Sequence, residues 1–330
     1  MAKFTRLTSA VDFGKDGKQF GYLRLPYSSN ASAYGWIGIP IAQVKNGKGP
    51  TVLLMGGNHG DEYEGQIVLS RLIRTLKPEA VQGRVIIMPM TNYPASLVGT
   101  RTSPLDAGNL NRTFPGQADG SPTEMIAHYI ESILLPMSDG VVDLHSGGRT
   151  LHYLPSALIV ADAGKKPDAK TLAALKAFAA PIGYITAAGD SRTLLAAARR
   201  AGVVAVGTEL GGTGQVTRET LAVAATGVAN MLAHFGATEK RASPARTRLM
   251  TVTGQGDYVY APTRGWFEPH FDLGDTVRVG QSAGLVHFLD EPLREPVPVA
   301  FEADGVVICR RPPVPVERGD CIAHLAADVA

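Results

Sequence analysis

His59 and Glu62 stand three residues apart in the stretch Gly56-Gly57-Asn58-His59-Gly60-Asp61-Glu62-Tyr63-Glu64. Imidazole and carboxylate are common protein ligands for Zn²⁺. A three-residue step on a tight turn or a first helical turn lets both side chains point the same way. The glycines permit backbone angles and close approach denied to bulkier residues. Such a pair taken alone also fits a polar turn with a buried, hydrogen-bonded histidine. Two further positions share its character. His145 closes the run Gly140-Val141-Val142-Asp143-Leu144-His145, followed by Ser146-Gly147-Gly148. Asp143 precedes His145 by two residues, so it shares a strand face and is a candidate acceptor for an imidazole N–H. Glu209 closes Val203-Val204-Ala205-Val206-Gly207-Thr208-Glu209. Burial there would raise its pKa toward that of a general base. The plainer readings are a satisfied core histidine for His145 and an arginine's partner for Glu209.

The elements that must hold these residues follow from the apolar pattern. Thr51-Val52-Leu53-Leu54-Met55 is short and rich in branched residues, which predicts a buried strand ahead of His59. Ile67, Leu69, Leu72, Ile73 and Leu76 recur at helical spacing behind Glu62. Arg84-Val85-Ile86-Ile87-Met88-Pro89 predicts the next strand, and strand, helix, strand is the grammar of an α/β sheet. In open α/β sheets, ligands bind beyond the carboxyl ends of strands, where His59, His145 and Glu209 all fall. Ser121, Pro122 and Glu124 form a helix start with a capping box. Further helices are expected over 168–180, 191–201 and 217–235, the last two stopped by Gly202 and Gly236. Residues 91–120 are rich in Gly, Pro, Asn, Asp and Thr without periodicity, and predict a long, ordered, functional loop. It carries Arg101, Asp106 and the run Asn109-Leu110-Asn111-Arg112-Thr113-Phe114-Pro115-Gly116. A guanidinium there could hold a carboxylate by two parallel hydrogen bonds, or simply face solvent.

Texture changes after the small, polar stretch 237–248, which we read as a linker. Residues 249–330 carry Val, Gly, Pro and Asp with no helical period, and strand candidates at 250–253, 256–261, 266–269, 276–279, 284–288, 297–301 and 305–309 are separated by turn signals. The expected organisation is an α/β domain over 1–240 and a small all-β domain over 241–330. The 330 residues are 45% hydrophobic and 19% charged, ordinary for a soluble globular protein, and the net charge of +2 argues against nucleic acid or an anionic membrane as partner. No apolar run reaches membrane-spanning length, and the N-terminus lacks a signal-peptide core. Two cysteines, Cys309 and Cys321, suit reduced thiols in the cytoplasm. Base rates favour a homo-oligomer.

Two histidines and a glutamate from separate strand ends form the ligand set of a catalytic zinc with one open position for water. A second carboxylate outside the ligand set would take the water's proton, and loop arginines would hold the substrate and its developing oxyanion. The motifs Gly57-Asn58-His59-Gly60-Asp61-Glu62, Asn109 to Gly116, Asp143-Leu144-His145-Ser146 and Thr208-Glu209-Leu210-Gly211 together resemble the succinylglutamate desuccinylase/aspartoacylase family of the zinc carboxypeptidase-like fold. The resemblance runs from about Phe20 to the C-terminus. It implies a mixed, mostly parallel sheet with helices on both faces, followed by a small β domain that restricts access to the site. It implies one Zn²⁺ per chain on His59, Glu62 and His145, and Glu209 as general base and then acid. It implies Arg101 as the residue polarising the scissile carbonyl, and Asn111 with Arg112 as the grip on the substrate's carboxylate. The implied reaction is hydrolysis of a small N-acyl amino acid. A carboxypeptidase, an esterase, or a zinc-bearing binding protein without turnover would use the same parts. A succinyl or aspartyl substrate calls for an added cation, for which Arg192 is a candidate, although it equally fits a solvated residue in the first turn of a helix. The texture around Ala31-Ser32-Ala33-Tyr34-Gly35 and residues 101–106 is similar to the branch holding N-acetyl-diaminobutyrate deacetylases. The C-terminal strands also resemble a biotinyl/lipoyl-type barrel, but residues 249–330 contain no lysine to carry such a cofactor.

Overall fold

A computed structural model of the chain describes residues 4–239, 246–252 and 254–329. In chain order the main elements of the first part are β1 (Gly17–Pro26), β2 (Trp36–Asn46), β3 (Thr51–Gly56), α1 (Tyr63–Thr75), β4 (Gly83–Met88), α2 (Tyr93–Val98), α3 (Pro122–Tyr129), β5 (Gly140–Leu144), β6 (Ser156–Ala161), α4 (Ala169–Phe178), β7 (Ile182–Ala187), α5 (Leu194–Arg200), β8 (Val204–Glu209) and α6 (Arg218–His234). β9 (Arg248–Val252) follows, and then β10 (Tyr258–Tyr260), β11 (Gly265–Pro269), β12 (Ser282–His287), β13 (Val297–Ala300), β14 (Gly305–Arg310) and β15 (Cys321–Asp328).

The strands of the large sheet run in the order β1-β2-β4-β3-β5-β8-β6-β7-β9-β15-β14. Its centre is parallel: β3 pairs with β4 and β5, β5 with β8, and β7 with β6 and β9. Parallel strands covered on both faces read as continuous apolar runs, because neither face meets water. Alternation still decides which side chain goes where. Val52, Leu54, Val142 and Val206 pack with Val68 and Leu69 of α1, Leu175 and Phe178 of α4, and Val228 and Met231 of α6. Leu53, Met55, Val141 and Ala205 face the opposite side, against Met125 and Ile126 of α3 and Leu194, Ala197 and Ala198 of α5. The mixed sheet therefore has helices on both faces, as the sequence predicts.

Register matters most for function. Gly56 of β3 pairs with Leu144 of β5, and Gly207 of β8 pairs with Asp143. The carboxyl ends of these three strands thus lie side by side, and each releases its chain at the same edge.

Local differences from the sequence reading have physical causes. The stretch 91–120 is ordered, but it contains the short helix α2, with Pro94 in its first turn and Gly99 in the left-handed region at its end. The capping box at Ser121 is present, with Glu124 Oε2 accepting from Ser121 N at 2.7 Å, but α3 gives way after Tyr129 to a wider turn over Ile130–Leu134. The helix expected over 191–201 begins only at Leu194, because Thr193 Oγ1 accepts from Ala196 N and caps it there. Part of the expected linker, residues 240–245, lies outside the described residues, as does residue 253. β9 extends the α/β sheet beside β7, then meets β15 antiparallel, so one sheet continues into the C-terminal strands. β15 itself had no counterpart in the sequence reading. A separate antiparallel sheet, β13-β12-β11, completes that part around Phe267, Phe271, Phe301 and Leu325.

Candidate metal centre and cavity

His59 sits on the turn between β3 and α1. Gly57 holds that turn at φ +67°, and Gly60 lies so close to α2 that an added Cβ would stand 2.1 Å from the Ala95 carbonyl carbon. Gly60 N donates to Thr100 O at 2.8 Å, which ties the turn to the loop carrying Arg101. Asp61 Oδ2 accepts from Arg149 N at 3.0 Å and so joins the turn to the loop after β5. Glu62 occupies the N-cap of α1 without making a capping hydrogen bond. Its carboxylate turns instead to two imidazoles: Oε1 is 2.7 Å from His59 Nδ1, and Oε2 is 2.7 Å from His145 Nδ1. The ligand atoms of His59, Glu62 and His145 all lie within 4.8 Å of one another, and all three residues are buried.

The outer nitrogens of both rings are engaged. His145 Nε2 meets Asp143 Oδ2 at 2.8 Å, and His59 Nε2 meets Asn109 Oδ1 at 3.1 Å. A carboxylate only accepts, so His145 carries its proton on Nε2 and presents the Nδ1 lone pair inward. Two inward lone pairs then face carboxylate oxygens in a buried space. Such an arrangement repels itself unless a cation or added protons lie among the donors. Burial pushes the Glu62 carboxyl up, but the two imidazoles more than reverse this and hold it well below the usual range. For His145, burial pulls the imidazole down while Asp143 and Glu62 push it up, and the net direction is well above the ordinary value. This donor set fits a divalent metal of the zinc type.

A cavity of about 600 Å³ opens from this cluster, and His59, Glu62, Arg101, Asn111, Arg112, His145, Glu209 and Tyr258 all line it. The structure therefore brings the three expected metal ligands, Glu209, Arg101, Asn111 and Arg112 to one place. Arg101 Nη1 is 3.3 Å from His59 Nδ1 and 3.7 Å from Glu62 Oε1. Glu209 Oε2 is buried and has no hydrogen-bond partner among the described residues. Burial, and then the Glu62 charge, drive its carboxyl well above the ordinary value, against the pull of His145 and Arg101. Asn111 Nδ2 is 3.4 Å from His145 Nε2, while its Oδ1 accepts from Leu194 N at 2.9 Å. Arg192, the candidate extra cation, does not line the cavity. It makes a two-pronged pair with Asp190, from Nε and Nη2 at 2.9 Å each. Asn109, Asp190, Tyr153 and Tyr258 belong to the site without having been singled out. Asn109 lies within the motif Asn109 to Gly116 and Asp190 stands two residues before Arg192, whereas Tyr153 and Tyr258 belong to no motif.

Buried imidazoles and carboxylates at strand ends around a small cavity define a hydrolase-type site. Residues 48–235, more than half of the chain, match the succinylglutamate desuccinylase/aspartoacylase catalytic domain. The chain is 45% identical over 323 residues to the N-alpha-acetyl-L-2,4-diaminobutyric acid deacetylase of Halomonas elongata, covering 97% of this chain and 94% of that one. It is similar to the crystal structure of a succinylglutamate desuccinylase/aspartoacylase from Rhodobacter sphaeroides, with 42% identity, a TM-score of 0.92, and 99% and 100% of the two chains covered. It is also similar to the product-bound ectoine utilization protein EutE (DoeB) from Ruegeria pomeroyi, with 40% identity, a TM-score of 0.95, and 98% and 100% covered. The chain belongs to the succinylglutamate desuccinylase/aspartoacylase family and is an enzyme of acyl-amide hydrolysis. Among the described residues, no helix is long and apolar enough to cross a membrane.

Proposed function

We propose that the chain is a zinc-dependent deacylase of small N-acyl amino acids, with acetyl as the acyl group and a diamino acid as the amine product. The observation that carries this reading is the convergence of His59 Nδ1, His145 Nδ1 and the Glu62 carboxylate beside the unpartnered Glu209 Oε2. His59, Glu62 and His145 would hold the zinc, which would supply Lewis acidity and lower the pKa of water. Glu209 accepts a proton as water adds to the amide carbonyl carbon. Arg101 donates hydrogen bonds to the oxygen that gains charge. When the C–N bond breaks, Glu209 returns the proton to the leaving amine, and a free carboxylic acid and an amino acid result. Arg112 pairs with the substrate's carboxylate, beside Asn111.

Two features support a small substrate with an uncharged acyl group. Tyr258, from the C-terminal strands, forms part of the cavity wall, so that part restricts entry by peptides. Arg192 is committed to Asp190 and gives the cavity no second carboxylate receptor there. The acetyl and diaminobutyrate assignment leans on the 45% identical deacetylase. A screen of N-acetyl, N-formyl and N-succinyl amino acids, with short peptides and esters, tests the reading. The expected result is highest kcat/KM for an N-acetyl diamino acid. Faster peptide or ester cleavage, or retained metal with no turnover, would reject it.

A further inference from the structure

Arg112 and Arg192 meet at one carboxylate. Asp190 Oδ1 accepts from Arg192 N and Nε, each at 2.9 Å. Its Oδ2 accepts from Arg192 Nη2 at 2.9 Å and lies 3.3 Å from Arg112 Nε. Three hydrogen bonds from Arg192 and an ion pair with Arg112 therefore converge on this one carboxylate. Arg192 and Arg112 hold the carboxyl of Asp190 down at a pKa of about 2, so it stays charged at any working pH. Arg112 is restrained a second time, because its Nη1 donates to Asn111 O at 2.7 Å. The loop below is braced as well: Phe114 N donates to Arg192 O at 3.2 Å, and Leu194 N to Asn111 Oδ1 at 2.9 Å. Of the two arginines, only Arg112 lines the cavity.

A guanidinium beside other cations would swing toward solvent unless anchored. Arg101 and Arg192 both repel Arg112, and burial also disfavours its charge. We propose that Asp190 is a positioning residue that holds the Nε side of Arg112 at the cavity wall, leaving the other edge of the guanidinium for the substrate's carboxylate, while keeping Arg192 out of the cavity. This rests on the reading of Arg112 as the carboxylate grip. The carboxylate of Asp190 is already paired with two guanidinium groups, so its effect passes through the arginine.

The test is a double-mutant cycle on the full-length metal-loaded enzyme, read as KM and kcat separately for an N-acetyl amino acid. Asp190→Asn keeps size and folding but turns one acceptor into a donor facing the guanidinium. It should raise KM about tenfold, the scale of one lost charge-assisted contact, with kcat within about twofold. Arg112→Ala should raise KM at least as much. The Asp190→Asn/Arg112→Ala double variant should match Arg112→Ala alone. An unchanged KM in Asp190→Asn beside a raised KM in Arg112→Ala would overturn the role of Asp190 and leave the arginine reading intact. Full additivity in the double variant would also overturn it. An unchanged KM in Arg112→Ala would remove the arginine reading itself.

Discussion

Asp143 Oδ2 lies 2.8 Å from Nε2 of His145, two residues along the same strand end. That contact fixes which ring nitrogen faces inward. Asn58 Nδ2 donates to the same Asp143 oxygen at 3.2 Å, so the carboxylate is itself held in place. Orienting partners of this kind commonly contribute ten- to hundredfold to metal affinity. Asp143→Asn should therefore weaken zinc binding by about that factor in a chelator competition titration. Unchanged affinity would show that the tautomer is set by something else.

Glu209 makes a sharper claim, since it lies outside the ligand set. Glu209→Gln keeps shape and removes the proposed base. Zinc content should stay at the wild-type level while kcat falls on the order of a hundredfold or more. Near-normal kcat in that variant would exclude the base assignment.

The turn beneath His59 predicts a steric effect. A methyl at Gly60 would collide with the backbone of Ala95, which cannot rotate away as a side chain tip would. Gly60→Ala should cost about 1–3 kcal/mol by the usual scale of overpacking, seen as a lower melting temperature, and should lower zinc affinity along with it. A variant as stable as wild type would mean that α2 yields readily.

His324 predicts a pH dependence away from the catalytic groups. It is buried, neither ring nitrogen has a hydrogen-bond partner among the described residues, and it stacks on Tyr258 at 4.2 Å. Burial pulls its pKa down to about 4. The unfolded chain, with an ordinary histidine, binds the proton first as pH falls. The contribution of His324 to stability should thus be flat above about pH 6.5 and decline toward pH 4, by about 3 kcal/mol in all. His324→Phe keeps an aromatic ring against Tyr258 and should flatten that part of the melting-temperature profile. An identical slope in the variant would assign the acid sensitivity elsewhere.

Much of this arrangement was legible in the chain because the informative residues are local. Buried parallel strands announce themselves as apolar runs, and His59, His145 and Glu209 stand directly at their ends. Asp143 could be paired with His145 because two residues along a strand return to the same face. Spacing fails where contacts join remote segments. Nothing local ties Asp190 to Arg112, whereas its pairing with Arg192, two residues on, is a local contact. β15 carries little signal because Cys321-Ile322-Ala323-His324-Leu325-Ala326-Ala327-Asp328 is poor in the branched residues that mark strands, although Ala323 and Ala326 are fully buried. Likewise α2 is one short helix whose start and stop residues look like loop composition.

Zinc titration of the metal-stripped protein tests the central claim most directly, with deacylation of an N-acetyl diamino acid followed at each addition. Activity should rise in proportion to added zinc and level off at about one equivalent per chain, with no rise in His145→Ala. Full turnover before any metal is added, or an unaltered response in the His145 variant, would contradict it.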